Sequence, residues 1–360
     1  MPRNLGKLNA MAQRPIRPKR ILLIKIRPDK IGDVLLATPL IRSLKQLDPG
    51  LELTMWVHPA IADVLANNPD LQSVGATTFR PSLGEGLDHV KRMRAGKFDA
   101  VIFLKDRAGS HIPLSWLAGI PRRIGSVGKK WYGKLLTQNI DMAWDSVPTH
   151  EAELCYQLVE RAVDLKLERL PMSMPVKPED EVSARELLSK AGVNGDYFCL
   201  QAGTGGTSRP WSPENLADVA KQVIAGIGYS CVLTGMKGEI ELVSTVAKLI
   251  GDSAYSIAGQ TDLKSMAAIL KGAKGLITGS TGTLHLAAAQ ETPIILIEPL
   301  PGAEARISKW HPWMSPYKAF PATKVCDGCT FKHCIETGNE CLDSISANEV
   351  AASAVELFKP

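Results

Sequence analysis

The stretch "ILLIKIRPDKIGDVLLATPLIRSL", residues 21–44, contains a strand, a turn and the start of a helix. The apolar run at residues 21–26 is typical of a strand that is covered on both faces of a parallel sheet. Leu36, Leu40 and Leu44, with Leu47 beyond them, then recur at helical spacing. A buried strand that leads directly into a helix predicts the first βα unit of an α/β fold.

Strand and helix patterns continue to alternate along the chain, and a proline-containing stretch at residues 165–178, "LKLERLPMSMPVKP", separates two such series. Strands are predicted at residues 51–57, 100–104, 197–201, 230–234, 275–278 and 293–298, and helices at 60–66, 213–227, 239–250, 263–271, 283–290 and 347–358. We therefore predict an α/β protein with two Rossmann-like domains that face each other across a cleft. The predicted parts are a disordered basic lead-in at residues 1–20, an N-terminal domain at 21–172, a C-terminal domain at 173–346 and a final helix at 347–360.

Composition narrows the classes of protein to consider. The chain has 360 residues, of which 45% are hydrophobic and 22% charged, and a formal net charge of +5. No stretch approaches the length of a membrane span, and the basic lead-in lacks the apolar core of a signal peptide. The mild positive charge favours acidic small molecules or a membrane surface over a nucleic acid. Seven cysteines without a secretory signal indicate a reducing compartment, so we expect a cytoplasmic protein.

The turn after the first strand carries a single glycine, Gly32, and then Asp33. The fingerprint G-x-G-x-x-G is absent, which argues against a dehydrogenase that holds a dinucleotide on this turn. The helix dipole would favour the ionised form of Asp33. Asp33 is therefore either a helix cap or a base that accepts a proton from a molecule bound above the strand.

Two glycine-rich turns in the second half of the chain suit phosphate groups. "LQAGTGGTSRPWSPENL", residues 200–216, follows a strand and offers backbone N–H groups, hydroxyls and Arg209, which can neutralise charge. "ITGSTGTLHLAAAQETPIILIEP", residues 277–299, runs from a buried strand into a helix whose first N–H groups can bind an anion. His285 in its first turn can donate to a phosphate or be a buried structural histidine.

Two further features have alternative interpretations. In "LTGMKGEIE", residues 233–241, Gly235 ends a strand, and Glu239 either accepts hydrogen bonds from ribose hydroxyls or caps a helix. A cluster of cysteines is spaced C-x2-C-x4-C-x6-C and either binds zinc or forms a structural thiol cluster that can oxidise. Its members are Cys326, Cys329, Cys334 and Cys341.

Together these stretches resemble glycosyltransferase family 9, the family of the lipopolysaccharide heptosyltransferases. The resemblance covers residues 20–358. The blocks that carry it are "ILLIKIRPDKIGDVLLATPLIRSL", "LAGIPRRIGSVG", "GTSRPWSPENL", "LTGMKGE", "GSTGTLHLAAAQETPIILI" and the cysteine-rich tail that ends in "CLDSI". The resemblance implies the GT-B fold, an inverting mechanism without a metal or other cofactor, and a nucleotide-sugar donor, typically ADP-heptose.

The resemblance also implies roles for individual residues. Asp33 matches the family's general base, and Arg209 lies where a basic residue stabilises the leaving diphosphate. Arg122 and Arg123 match a basic block and either contact an acidic acceptor or lie in a solvated loop. The donor-binding residues that it implies are Gly32, Thr204, Thr207, Ser208, Gly235, Glu239, Ser280, Thr281, Gly282, Thr283 and His285. The implied partners are an ADP-sugar and a lipid-linked saccharide acceptor, and the chain is expected to act as a monomer at the inner face of the cytoplasmic membrane, without nucleic acid.

The chain departs from the family at one position. Heptosyltransferases usually have an aspartate five residues before the matching histidine, where this chain has Ser280. Two other functions therefore stay open: a non-catalytic nucleotide-sugar-binding protein, and a sugar epimerase of the GT-B type that needs no acceptor.

Overall fold

The structure, a computed structural model, describes residues 18–26, 30–105, 109–142, 144, 148–206, 210–299, 303–323 and 341–359. Among these residues no helix has both the length and the apolar character needed to cross a bilayer. Within the described ranges twelve strands form two sheets of six, and the strand pairs found there are all parallel.

The first sheet has the strand order β3-β2-β1-β4-β5-β6. Its strands are β1 (Arg20–Ile24), β2 (Glu52–Val57), β3 (Ser73–Ala76), β4 (Ala100–Phe103), β5 (Arg122–Gly125) and β6 (Gln138–Asn139). Its helices are α1 (Ile31–Leu35), α2 (Thr38–Leu47), α3 (Leu83–Ala95) and α4 (His111–Leu117), with 3₁₀ turns at Pro59–Leu65 and Trp131–Leu135.

The second sheet repeats the same order, which reads β9-β8-β7-β10-β11-β12 from its other edge. Its strands are β7 (Tyr197–Gln201), β8 (Ser230–Thr234), β9 (Ala254–Ser256), β10 (Leu276–Gly279), β11 (Ile294–Glu298) and β12 (Tyr317–Pro321). The helices α5 (Glu151–Val163) and α6 (Pro178–Ala191) lie between the two sheets in the sequence. The later helices are α7 (Pro213–Ile227), α8 (Ile240–Ile250), α9 (Leu263–Gly272), α10 (Gly282–Ala288), α11 (Ala303–Trp310) and α12 (Ala347–Phe358), with 3₁₀ turns at Lys237–Glu239 and Leu342–Ser344.

Both sheets have the Rossmann order, with the first strand of each unit in the centre. The prediction of an α/β protein with two Rossmann-like sheets is therefore confirmed. In such sheets the strand order reverses beside the first strand. The crevice that binds ligands opens there, at the carboxyl ends of the strands.

The helix predicted after β1 is divided into α1 and α2. Pro39 is the second residue of α2, and because it has no N–H group it cannot continue the hydrogen-bond ladder of α1. The Thr38 hydroxyl donates to the Leu35 carbonyl at 2.7 Å instead. The N-cap of α1 is Lys30, so Asp33 is the third residue of the helix rather than its cap.

The predicted linker contains no helix or strand before α6 begins at Pro178. It is nevertheless bonded from both halves, because Arg42 donates to the Pro171 carbonyl at 2.9 Å and Gln290 donates to the Met174 carbonyl at 2.8 Å. The largest buried apolar cluster likewise includes residues from each of the two sheets, such as Leu23 of β1 and Leu276 of β10. The two sheets therefore share a packed boundary.

The two ends of the described chain also depart from the predicted parts. Arg20, the last residue of the predicted lead-in, begins β1, and the backbone N–H groups of Lys19 and Arg20 donate to Asp99. The final helix α12 packs on α7 and buries Phe358 against Phe198 of β7, with ring centroids 6.1 Å apart. It thus covers the second sheet.

Candidate functional site

The helices α1 and α10, one from each half of the chain, contact each other closely at two glycines, each of which faces a side chain of the other helix. A Cβ atom added at Gly32 would lie 2.2 Å from a ring carbon of His285, and one added at Gly282 would lie 2.5 Å from a side-chain carbon of Ile31. Both helices follow the central region of their sheet, α1 after β1 and α10 after β10. Glycine at these two positions therefore brings the carboxyl edges of the two sheets together.

Asp33 is 3% exposed and lies in α1 directly beside this contact. The Lys25 ammonium, at the carboxyl end of β1, is close enough that the charge of Asp33 raises its pKa. The predicted base therefore lies where the structure joins the two halves, next to a buried cation.

Three buried charged groups surround the carboxyl ends of β1 and β4. Glu151, the first residue of α5, accepts from the Lys25 ammonium at 3.1 Å and from the Lys105 ammonium at 3.0 Å. The Lys25 and Glu151 side chains are fully buried and that of Lys105 is 9% exposed. Lys25 also donates to the Cys155 sulfur at 3.5 Å. With Asp33, the cluster holds two positive and two negative charges, and this balance permits its burial.

The pKa shifts in the cluster follow from burial and from this pairing. Burial alone lowers the pKa of Lys25, but the charges of its neighbours, among them Glu151 and Asp33, outweigh it and raise that pKa above its ordinary value. Burial raises the pKa of Glu151, but the two lysines reverse this and lower it to about 2. Because burial also raises the pKa of the Cys155 thiol, that thiol is protonated at neutral pH. The two carboxylates therefore hold the Lys25 ammonium in its charged form.

The carboxyl edge of the second sheet is organised around Gln201, the last residue of β7. Its side-chain oxygen accepts from the Thr234 hydroxyl at 2.7 Å and from the Thr283 hydroxyl at 3.5 Å. Its amide nitrogen donates to Glu239 at 3.4 Å. One buried amide therefore connects the ends of β7 and β8 with the first turn of α10.

Glu239 lies beneath the glycine-rich loop that follows β7. Its carboxylate accepts from the Gly205 N–H at 2.9 Å and from the Met236 N–H at 2.8 Å. A Cβ atom added at Gly203 would lie 1.9 Å from a Glu239 carboxylate oxygen, so only glycine fits there. The carboxylate still has lone pairs for a ligand hydroxyl, because two oxygens offer about four acceptor positions. Gly235, at the end of β8, borders the same carboxylate.

The turn between β10 and α10 presents hydroxyls and backbone N–H groups. Thr281 is the N-cap of α10 but makes no side-chain cap, and its hydroxyl lies 3.3 Å from that of Thr278. Thr204 of the neighbouring loop is buried, and its methyl group is close to Gly279. The structure therefore assembles, at one edge, the predicted donor-binding residues that lie in the described part of the chain. They are Thr204, Gly235, Glu239, Ser280, Thr281, Gly282, Thr283 and His285, with Gly32 facing them from α1.

Ser280 lies beside a buried carboxylate. The register pairs Gly279 with Ile297, which places Ser280 next to Glu298 at the end of β11. Glu298 is 1% exposed and accepts from the Arg306 guanidinium at 2.5 Å. Burial raises its pKa, while Arg306 and the Ser280 hydroxyl lower it by less.

His285 is buried, and its ring faces Gly32 and the edge of Trp310 of α11. Burial lowers its pKa to about 3, with smaller effects from His150 and His311, so the imidazole is neutral at pH 7. Its Nδ1 has no hydrogen-bond partner within the described ranges. Lys105 lies 5.4 Å from the Trp310 ring centroid, so this tryptophan connects the charged cluster of the first half with α10.

Some predicted residues lie elsewhere or outside the described ranges. Arg122 and Arg123 begin β5, so they lie at the amino ends of the strands, whereas Asp33 lies at the carboxyl ends. The Arg123 guanidinium donates to the backbone carbonyls of Ile120 and Leu135. This position does not support their predicted contact with an acceptor, which stays a prediction. Outside the described residues lie Thr207, Ser208, Arg209, Cys326, Cys329 and Cys334, while Cys341 is buried.

A cavity larger than any space at this edge described below lies away from these residues. It has a volume of about 330 Å³ and is lined by Arg20, Glu52, Trp56 and Arg92, next to the amino ends of β1, β2 and β3. The ligands of such sheets bind at carboxyl ends, so position takes precedence over size. A smaller space of about 20 Å³, room for one water molecule, lies between Gln201 and Thr278.

Sequence reasoning missed the buried charged groups at the carboxyl ends of β1 and β4. Lys25 and Lys105 each follow an apolar run at the end of a strand, and β1 and β4 are neighbours, so their meeting was open to prediction. Glu151 gave no such signal, because it lies 126 residues from Lys25 along the chain. The sequence pattern places Gln201 at the end of its strand but predicts no role for it.

Comparisons with known proteins identify one family. The sequence model described as glycosyltransferase family 9 (heptosyltransferase) matches residues 87–334. Lipopolysaccharide heptosyltransferase 3 of Escherichia coli (strain K12) is 25% identical over 344 residues, which cover 91% of this chain and 95% of that protein.

Solved structures share the fold of this chain over almost its whole length. A glycosyl transferase of family 9 from Veillonella parvula superposes with a TM-score of 0.78 at 20% identity, covering 94% of this chain and 97% of that one. The ADP-heptose LPS heptosyltransferase II of E. coli superposes with a TM-score of 0.71 at 20% identity, covering 94% and 98%. The predicted GT-B fold is thereby confirmed.

Proposed function

The chain belongs to glycosyltransferase family 9 and is a glycosyltransferase, and from this premise we propose that it transfers a heptose from an ADP-linked donor to a lipopolysaccharide core-type acceptor, with inversion at the anomeric carbon. The observation that carries the proposal is the contact of α1 with α10. It places a buried carboxylate, Asp33, against the turn of the second sheet that suits a phosphate.

In the proposed mechanism Asp33 accepts the proton of the acceptor hydroxyl as that oxygen attacks the anomeric carbon of the donor. The new carbon–oxygen bond forms while the bond to the diphosphate oxygen breaks, and ADP leaves with the bonding electrons. Lys25 lies beside this carboxylate, and the charge of Asp33 contributes to the raised pKa of the Lys25 ammonium.

We assign the donor to the edge of the second sheet. Glu239 receives the ribose hydroxyls, and the loop at Thr204 and the turn from Ser280 to His285 receive the diphosphate. Arg209, Thr207 and Ser208 complete this site in the proposal and neutralise the charge that develops on the leaving group. His285 would act as a neutral hydrogen-bond donor, because its pKa of about 3 excludes a cationic role at pH 7.

The position of Glu298 supports a sugar at the same edge. The family's aspartate is replaced by Ser280, but the neighbouring Glu298 keeps a carboxyl group there. We accordingly assign residues 173–346 to the donor and residues 21–172 to the acceptor, at the inner face of the cytoplasmic membrane.

One calorimetric titration series tests the donor. We expect ADP and ADP-heptose to bind more tightly than the GDP and UDP compounds, and tighter binding of GDP- or UDP-sugars would overturn the donor assignment. A second assay follows nucleotide release with and without a lipopolysaccharide core acceptor. Release only with acceptor supports transfer, while sugar conversion without acceptor would indicate an epimerase, and binding without release or conversion would indicate a non-catalytic protein.

A further inference from the structure

Large apolar side chains are exposed on one part of the first half. Leu83 is 85% exposed, Leu87 59%, Trp131 69% and Phe79 36%. We call these four residues the apolar rim. They belong to three neighbouring segments: the loop after β3, the helix α3, and the 3₁₀ turn after β5.

Contacts around the start of α4 show that these segments adjoin one another. The Ser110 hydroxyl, at the N-cap of α4, donates to the Phe79 carbonyl at 2.8 Å. A Cβ atom added at Gly109 would lie 2.7 Å from the Tyr132 ring, and Tyr132 packs edge-on against Trp131. The rim therefore surrounds the N-terminus of α4 on two sides.

The rim lies towards the edge of the sheet that carries Asp33. Phe79 and Leu83 follow the carboxyl end of β3, and Trp131 follows the carboxyl end of β5. Parallel strands end at the same edge, which here also carries Lys25 and Lys105. A surface that binds the rim would therefore approach the side on which an acceptor must enter.

Helix α3 combines apolar and basic residues on one exposed face. At 3.6 residues per turn, Leu83, Leu87, Lys91 and Arg94 fall within an arc of roughly 80°. All four are exposed, and the Arg94 guanidinium donates to the Leu117 carbonyl at 2.8 Å. Glu85 lies on the opposite side of the helix, while Asp88 lies about 60° beyond Lys91 and pairs with Arg92 at 3.8 Å, so the charge within the apolar stripe itself is positive.

Basic residues also border the other members of the rim. The Arg80 guanidinium lies 5.6 Å from the Phe79 ring centroid, and the exposed Lys129 and Lys134 flank Trp131 in the sequence. Exposed tryptophan and leucine next to lysine and arginine are the combination that enters the headgroup region of an anionic bilayer. The apolar parts enter the acyl boundary while the cations stay with the phosphates.

We propose that the apolar rim, with Arg80, Lys91, Lys129 and Lys134 beside it, docks the protein onto an anionic phospholipid bilayer with the Asp33 edge turned towards the membrane. The choice of a lipid surface over a protein partner rests on this charge complementarity and on the proposed function, whose acceptor is lipid-linked.

Vesicle sedimentation with the full chain tests the proposal. We expect the protein to bind vesicles of phosphatidylcholine mixed with phosphatidylglycerol, to bind phosphatidylcholine alone more weakly, and to lose binding at high salt. The double variant Leu83→Gln/Trp131→Gln leaves the net charge unchanged and should bind about tenfold or more weakly, because two large side chains no longer leave water. Lys129→Gln/Lys134→Gln should reduce the binding to the anionic vesicles and its dependence on salt.

Leu47→Gln is the matched control. Leu47 is 48% exposed at the end of α2, away from the Asp33 edge, and its variant should bind vesicles like the wild type. Equal binding by the Leu83/Trp131 variant and the wild type, or no wild-type binding to anionic vesicles, would overturn the proposal. So would sedimentation velocity that shows a wild-type dimer dissociated by these substitutions, because the occupant would then be a second copy.

Failure of the proposed function would be seen separately. Transfer to a lipid-free core saccharide should be unaffected by Leu83→Gln/Trp131→Gln, since neither residue belongs to the site. A chain that binds vesicles but transfers no sugar would retain the docking surface and lose the transferase proposal. A chain that transfers sugar but does not bind anionic vesicles would retain the transferase proposal and lose the docking surface.

Discussion

Asp33 is one of two carboxylates near Lys25, and their surroundings differ. Glu151 is enclosed by two ammonium groups, which hold its pKa near 2, so it stays ionised and cannot act as a base near neutral pH. Asp33 lies in the first turn of α1, at the contact with the other half. In the proposed mechanism the first carboxylate maintains charge balance, and the second is placed to receive a proton.

The substitution Asp33→Asn separates binding from chemistry. The amide has nearly the shape of the carboxylate but cannot accept the proton, so we expect turnover to fall by about 10²- to 10⁴-fold. Affinity for the donor should change little, because Glu239 and the α10 turn supply its proposed contacts. Steady-state rates and calorimetry on the same preparation measure both quantities, and unchanged turnover would exclude Asp33 as the base.

Glu151→Gln tests the buried charge cluster. The substitution leaves Lys25 and Lys105 without their shared counter-ion, so we expect the free energy of unfolding to fall by about 3–5 kcal/mol. Glu52→Gln is the control, because Glu52 pairs with Arg20 where both side chains are more than 40% exposed, and its loss should cost less than about 1 kcal/mol. Denaturant titrations of both variants give the comparison, and similar losses would contradict the charge-balance account.

For single residues, sequence reasoning could reach some members of the site and not others, for physical reasons. Asp33 could be singled out because its neighbours in the chain form a strand-to-helix turn. Lys25 and Lys105 were accessible through the ends of two adjacent strands. Glu151 was not, because its importance arises from tertiary contacts across 126 residues, which no local pattern encodes.

Among the elements, prediction was most accurate where a helix carries its own start signals. The bounds predicted for α7, residues 213–227, are those observed, because Ser212 caps the helix and Pro213 begins it. The helix after β1 was predicted as continuous, since the leucine spacing persists through Pro39. Short edge strands such as β6 were not predicted, because two residues carry no periodicity.

The contact of α1 with α10 depends on the missing side chain of Gly32. In Gly32→Ala the new methyl group would overlap the His285 ring, so we expect a loss of about 1–3 kcal/mol of stability and lower transfer activity. Gly84→Ala is the control, since a Cβ atom there meets nothing within 4 Å in an exposed helical turn. That variant should gain about 0.4–1 kcal/mol. Thermal and denaturant unfolding measure both, and a stabilised Gly32→Ala would show that the helices are not in close contact.

For the molecule as a whole, the two halves meet through neutral histidines. His150 at the start of α5 donates to the His311 carbonyl at 3.0 Å, and the two rings are 4.3 Å apart. His285 lies near both, close enough that each lowers its pKa. The sequence predicted the two sheets and their cleft, but these contacts depend on how the sheets pack, and their residues lie far apart in the chain.

These histidines predict how stability depends on pH. Burial, with smaller effects from neighbouring groups, lowers the pKa of His150 to about 4 and that of His285 to about 3, from an ordinary value of 6.5. At a pH between the folded-state pKa of each histidine and 6.5, the unfolded chain binds protons that the folded chain does not. The stabilising contribution is therefore complete above pH 6.5 and is lost as the pH falls below it, at up to about 1.4 kcal/mol per pH unit for each histidine.

Denaturant titrations between pH 7.5 and 5 should accordingly show a falling free energy of unfolding. Glu298, whose pKa is raised by burial, acts in the opposite direction. His150→Asn should flatten the dependence of the free energy of unfolding on pH by the equivalent of about one bound proton. His111→Asn is the comparison: burial lowers the pKa of His111 to about 3, but this histidine lies in α4, within the first half. Both variants should flatten the slope, and only His150→Asn removes a hydrogen bond between the halves. Equal slopes in the wild type and both variants would show that the buried histidines take up protons without unfolding.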